Sequence, residues 1–126
     1  MLLLDELLTW SPEEARASVC VRQGNPFLRP DGLLERAAFA ELLAQCFAAG
    51  AGANLRDNGE PIPDVGYLAA LRDVEVLGDA RLGQQLIVVA HTKAALNGIV
   101  VVEGEVRAGK KLLARGTFKI FIPENV

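Results

Sequence analysis

The chain has 126 residues, 51% of them hydrophobic, and a net charge of −3 at neutral pH; its mean hydropathy is +0.25 and its isoelectric point lies near 5.1. That length suits one domain around one core, and no composition shift divides residues 1–126. An acidic balance argues against a nucleic-acid partner, and no apolar run approaches the roughly 18 residues of a membrane-spanning helix. Met1-Leu2-Leu3-Leu4 is too short for a secretory signal and runs straight into Asp5 and Glu6, so a cytoplasmic location is expected. Cys20 and Cys46 stand far apart, with no Cys or His at ligand spacing. Free thiols are therefore expected, with no metal and no cofactor. The high apolar content implies either an unusually complete core or apolar surface covered by another subunit.

Leu2 to Trp10 is a short apolar segment, and Ser11-Pro12-Glu13-Glu14 reads as a turn. Ala15 to Val21 alternates, with Ala15, Ala17, Val19 and Val21 on one side and Arg16, Ser18, Cys20 and Arg22 on the other, which predicts a strand. Gln23 to Gly32 holds Gly24, Pro26, Pro30 and Gly32 and is a loop.

Leu33 to Ala49 contains neither Gly nor Pro and is mostly Leu, Ala, Glu and Arg. A helix is predicted there, with Asp31 as N-cap, Glu35 in the first turn where the dipole favours negative charge, and Gly50 and Gly52 as the stop. From Ala37 to Ala49 only Glu41 and Gln45 interrupt an apolar surface, so the helix should be enclosed by other elements. Asn54 to Asp64 reads as a loop. Strands are then predicted at Gly66–Leu77, Gln84–Lys93, Ile99–Arg107 and Leu112–Ile122, separated by Gly78-Asp79, Leu96-Asn97-Gly98 and Ala108-Gly109-Lys110. Glu103, Glu105 and Arg107 alternate with Val102, Gly104 and Val106; Arg115, Thr117 and Lys119 alternate with Gly116, Phe118 and Ile120. Two strands, a buried helix and four antiparallel strands define an α+β layer architecture.

Glu41 is the residue that this pattern singles out. Its helical neighbours Ala37, Ala38, Ala44 and Gln45 include no cation, so its carboxyl is expected to be desolvated, with its pKa raised toward neutrality, as suits a general base. Gln45 lies one turn on and can orient Glu41 or hold a carbonyl. His91, the one histidine, shares a strand face with Ile87, Val89 and Lys93, opposite Leu86, Val88, Ala90 and Thr92, and reads as a structural or surface group. Arg22, Arg29 and Arg36 flank the loop and the helix start.

The order of these elements, and several short motifs within it, resemble the hot-dog family: an antiparallel sheet wrapped around one long central helix. Within that family the chain resembles the 3-hydroxyacyl-acyl-carrier-protein dehydratases, and most of all their short, divergent dehydratase-like members. Met1-Leu2-Leu3-Leu4-Asp5-Glu6-Leu7-Leu8 is similar to their opening motif, an apolar run before an Asp, without the Pro-His-Arg stretch that usually precedes it. Ala40-Glu41-Leu42-Leu43-Ala44-Gln45 is similar to their helix motif. Tyr67-Leu68-Ala69, Gly83-Gln84-Gln85-Leu86 and Leu113-Ala114-Arg115-Gly116 fall where the family has similar residues. Asn25-Pro26-Phe27 with Asp31-Gly32 resembles the loop of short, divergent dehydratase-like members, some found beside polyketide or aryl-polyene synthesis genes.

The resemblance implies action on, or binding of, 3-hydroxyacyl thioesters carried by acyl-carrier protein or coenzyme A. Glu41 would be the acid/base, and Gln45, Gly32, Asn25 and Phe27 would contact substrate, with the Gly32 amide at the helix start pointing at the thioester oxygen. It also implies a homodimer, or a heterodimer with another hot-dog protein. Typical dehydratases carry a His in the loop before the helix, and no residue from Gln23 to Asp31 is a His. The span from Gly32 to Glu41 is about one helical turn longer than usual. Two alternative readings therefore stand beside dehydration: thioester hydrolysis through a water activated by Glu41, and a non-catalytic or half-catalytic role beside a His-bearing partner.

Overall fold

Alternating apolar and polar residues build a six-stranded sheet, and one helix lies across its apolar face. The computed structural model describes residues 2–60 and 68–121, without the side chains of 68–72. The elements are β1 (Glu6–Trp10), β2 (Glu14–Cys20), α1 (Ala37–Asp57), β3 (Leu68–Val76), β4 (Gln85–Leu96), β5 (Ile99–Ala108) and β6 (Lys111–Phe121). Every pairing is antiparallel, in the order β1-β2-β4-β5-β6-β3. Part of the strand expected from Gly66, together with Tyr67 and Ile122, lies outside the described residues.

The predicted periodicity sets the register. Ala15 and Ala17 pair with Ala90 and Val88, and Val102 and Val106 pair with Phe118 and Ala114. All eight are buried, so each strand turns one row of side chains toward α1. The β4–β5 turn places Asn97 and Gly98 at φ 53 and 78, the left-handed pair that a two-residue hairpin requires. Core and helix meet through Phe39, Leu42, Leu43 and Cys46, all fully buried.

The helix departs from expectation at both ends. Leu33 and Leu34 are not helical: they form bridges with Arg81 and Leu28, and the Leu34 N–H donates to Ala80 O at 2.9 Å. Asp31 accordingly does not cap the helix; its Oδ1 accepts the Leu33 N–H at 3.1 Å in a local turn. The N-cap position is Arg36, with no side-chain cap and no acidic residue in the first turn. Pairing with the segment around Ala80 outcompetes local helix propensity, an interaction that adjacent sequence cannot reveal.

At the other end α1 runs through Gly50 and Gly52, so Asn54–Asp57 are helical rather than loop. A Cβ at Gly50 would collide with the Cβ of Ala15, so glycine there lets the helix approach β2. The actual stop is Gly59, at φ 70, with its N–H donating to Arg56 O at 3.1 Å and that of Glu60 to Leu55 O at 2.9 Å. Nor is α1 enclosed on all sides. Ala38, Phe39, Leu42, Leu43, Cys46, Gly50 and Ala53 form one buried stripe, while Ala37 and Ala48 are exposed and Ala40, Glu41 and Ala44 half-buried. Among the described residues, no helix is long and apolar enough to cross a membrane.

Candidate active site

Glu41 and Gln45 sit one turn apart on α1, flanking its buried stripe. The Gln45 Nε2 donates to Glu41 Oε1 at 3.1 Å, and Gln45 Oε1 accepts the backbone N–H of Leu3 at 2.7 Å. Glu41 is half-buried, not the fully desolvated carboxyl that its helical neighbours suggest, because the alanine face of α1 is open in the single chain. It is the one ionisable carboxylate between Arg36 and Arg56 along the helix.

The loop residues form a unit of their own. Asn25 Oδ1 accepts the Phe27 N–H at 2.9 Å, Asn25 O accepts the Leu28 N–H at 3.0 Å, and Phe27 O accepts the Glu35 N–H at 2.8 Å. The Phe27 ring packs half-buried against the core. Gly32, at φ 84, belongs to this loop and does not open the helix. Its N–H already donates to Arg29 O at 3.0 Å, and its carbonyl accepts the Leu82 N–H at 2.8 Å. That amide is therefore engaged, and the dipole of α1 begins further along the chain.

His91 is exposed on β4, opposite Glu14 of β2 and Glu103 of β5. Its neighbour Ala90 is buried toward α1, and the Cys46 thiol reaches the Val88 carbonyl from the helix side. His91 consequently faces away from α1, as the alternation predicts. Arg22, Arg29 and Arg36 each meet an aspartate, at 2.8 Å (Asp5), 2.8 Å (Asp31) and 3.7 Å (Asp79), all on the surface.

Neither of two concavities on the described surface reaches Glu41. The larger, about 810 Å³, lies on the outer sheet face around His91 and is lined by exposed charges, among them Arg16, Glu103 and Arg115. Its three arginines are all matched, Arg16 to Glu14 at 3.4 Å, Arg107 to Glu105 at 3.0 Å and Arg115 to Glu75 at 2.9 Å. The smaller, about 270 Å³, lies at the far end of α1 between Phe47, Ala51, Ala95 and Val100. Both cysteines are free. Burial pushes the Cys46 thiol up to about 12, so it is neutral and unreactive at physiological pH. Among the described residues no His/Cys/Asp/Glu cluster is placed to hold a metal ion.

The Leu3 N–H was not legible as part of this site. The apolar opening marks a segment to be anchored, but no sequence pattern says which backbone donor meets which side chain.

A six-stranded antiparallel sheet in this order, laid over one long helix that carries a carboxylate, is a hot-dog domain. The sequence narrows the class: residues 1–126 match the ApeP-like family, described as ApeP dehydratase, and the chain belongs to that family. No curated protein sequence matches it. Among solved structures it is similar to the dehydratase heterocomplex ApeI:P from Xenorhabdus doucetiae, with 19% identity and a TM-score of 0.87, covering 98% of this chain and 84% of that one. It is also similar to smu.793 from Streptococcus mutans UA159, bound to acetyl CoA (14% identity, TM-score 0.77, 95% and 89% covered). A third is the zebrafish thioesterase superfamily member 2 (14%, 0.75, 94% and 80%). At these identities the structural likeness shows the fold.

Proposed function

We propose that this protein acts on 3-hydroxyacyl thioesters, carried by acyl-carrier protein or coenzyme A, with Glu41 as its proton-transfer group and with the complementary acid supplied by a second hot-dog chain. The observation that carries the reading is the Glu41–Gln45 pair: a half-buried carboxylate on the helix, held by a side-chain amide at 3.1 Å. Membership of the ApeP-like family supports dehydration as the reaction class. Elimination of water requires a proton taken from C2 and a proton given to the departing C3 hydroxyl. Each well-placed acid or base is worth ~100 to 10,000-fold. The chain's sole histidine faces away from the helix, so a homodimer lacks the usual second group. A heterodimer with a His-bearing partner completes the pair, in keeping with the heterocomplex seen for the similar ApeI:P structure.

In this reading Gln45 orients Glu41, Asn25 and Phe27 shape the wall of the substrate site, and the Gly32 turn sets the position of that wall. The second reading, hydrolysis, is favoured by the same placement of His91, since an activated water needs only Glu41. The engaged Gly32 amide counts against it, because the thioester oxygen would need another donor.

The test is turnover of 3-hydroxyacyl, enoyl and saturated acyl thioesters by the pure protein and by its mixture with a His-bearing hot-dog dehydratase subunit. Dehydration in the mixture alone, abolished by Glu41→Gln, is expected. Full dehydration by the pure protein, indifferent to Glu41→Gln, would overturn the reading.

A further inference from the structure

We propose that the opening segment Leu3–Asp5 is a positioning element for the Glu41 carboxylate, acting through Gln45. The proposal takes its functional meaning from the reading of Glu41 above, but its geometry stands independently.

The segment is held in three places. Leu3 and Leu4 are buried in the core, 8% and 7% exposed, although they belong to no strand. The Asp5 N–H donates to Ser18 O at 2.9 Å. The Asp5 carboxylate accepts the Cys20 N–H at 2.6 Å and the Arg22 guanidinium at 2.8 Å. Asp5 thus staples the segment to the end of β2 and fixes how far the chain reaches back over α1. What that reach delivers is the Leu3 N–H, placed 2.7 Å from Gln45 Oε1.

The consequence follows from donor and acceptor chemistry. A backbone N–H can only donate, so the atom that it meets on Gln45 must be the amide oxygen. With the oxygen claimed, the NH₂ group is directed the other way, onto Glu41 Oε1 at 3.1 Å. A flipped Gln45 amide would set its NH₂ against the Leu3 N–H as well as its oxygen against a carboxylate oxygen, so the Leu3 donor adds a second penalty against the wrong orientation. The roles within the apolar run and its Asp are therefore distinct. The leucines anchor, the aspartate sets the register, and one backbone amide selects the orientation of the group that aims Glu41.

The test uses the full-length protein with ¹³C-labelled glutamate carboxyls, the Glu41 signal being assigned with Glu41→Gln and read at fixed pH. Leu3→Pro removes the N–H donor, while also fixing φ and shrinking a buried side chain, so Leu3→Ala serves as the control for lost packing; Gln45→Met removes the amide; Asp5→Asn weakens the staple while nearly preserving shape. Leu3→Pro and Gln45→Met are expected to move the Glu41 signal in the same direction. The double variant should move it no further than Gln45→Met alone, because the two act in series. A smaller movement is expected for Asp5→Asn, which also carries the test if Leu3→Pro fails to fold. An unmoved signal in folded Leu3→Pro, or shifts that add in the double variant, would overturn the proposal. Where turnover is measurable, Leu3→Pro should lower kcat about tenfold with KM little changed, the order expected for one lost hydrogen bond that orients a charged group. If the signals behave as expected while Glu41→Gln leaves turnover intact, the positioning holds and the reading of Glu41 as the proton-transfer group falls.

Discussion

His91 and Glu41 lie on opposite sides of the sheet. His91 is exposed on the outer face between Glu14 and Glu103, whereas Glu41 rides on the helix that covers the inner face. No side-chain rotation brings a ring across a hydrogen-bonded sheet. His91→Ala should accordingly leave thioester turnover within a factor of about two, alone or with a partner. Steady-state assays that show a loss of roughly tenfold or more would place the chemistry on the outer face instead.

The second prediction concerns the close contact of α1 with β2. Gly50 is buried against Ala15, with no room for a Cβ. Gly50→Val should therefore cost about 1–3 kcal/mol or more through overpacking, less the small gain from replacing a helical glycine. Gly52 lies in the same helix with nothing within 4 Å of where a Cβ would stand. Gly52→Ala should stabilise by about 0.5–1 kcal/mol. Urea unfolding of the two variants checks both signs at once; equal effects would mean that the Gly50 contact is not as tight as described.

These two glycines also show what the sequence could and could not yield. The strands were legible because burial on one face imposes a period of two: residues such as Val102, Val106 and Phe118 declare their side locally. The helix ends were not, because they depend on distant partners. Leu33 and Leu34 were drawn out of the helix by the segment around Ala80, and Gly50 was kept in it by Ala15. A glycine reads as a stop when judged on its own preferences, yet here close packing holds it in the middle of a helix. Gly59 made the true stop because a left-handed residue was needed there. Of the site, Glu41 and Gln45 were legible as the two polar breaks in an apolar helix. The capture of Gln45 by Leu3 was not, since a backbone donor leaves no mark on composition.

Third, Cys46 should impose an alkaline limit on stability. Desolvation raises its thiol from 9.0 to about 12 in the folded chain. Above about pH 9 the unfolded thiol loses its proton while the native one retains it. The native state then binds more protons, and stability falls as pH rises, by up to about 1.4 kcal/mol per pH unit until roughly pH 12. Below about pH 9 both states hold the proton and this contribution is complete. Cys46→Ala should lower stability at neutral pH through the cavity it leaves, yet flatten the decline between about pH 9 and 10.5 in denaturant titrations. An unchanged slope would mean that other groups carry it. At about pH 8, iodoacetamide should modify half-buried Cys20 well before Cys46, as mass spectrometry of the native protein would show.

The last prediction is that the chain pairs through β3. Among the described residues the sheet ends at β1 and β3, and the two edges are unequal. β1 has five residues and an irregular register against β2, devices that blunt an edge. β3 has nine, a long row of backbone groups with no described strand on its far side. Exposed apolar side chains lie near both of its ends. At the Leu68 end stands its cross-strand partner Phe121, 45% exposed, with Ile99 (37%) and Leu96 (73%) on the strands beyond; Leu77, which follows β3 at the other end, is 47% exposed. A free edge flanked by apolar side chains is unstable against association, and a second sheet laid edge to edge satisfies the amides and covers the patch together. Sedimentation equilibrium at micromolar concentration should give a dimer. Hydrogen exchange should find the outward amides of β3 protected, while those of β1 exchange quickly. Phe121→Lys places charge in the patch and should weaken association without unfolding the monomer, whose core does not depend on that exposed ring. A species that sediments as a monomer across the concentration range, with β3 amides exchanging as fast as those of β1, would refute this self-pairing; completion of the site by a different, His-bearing chain is tested by the mixed assay.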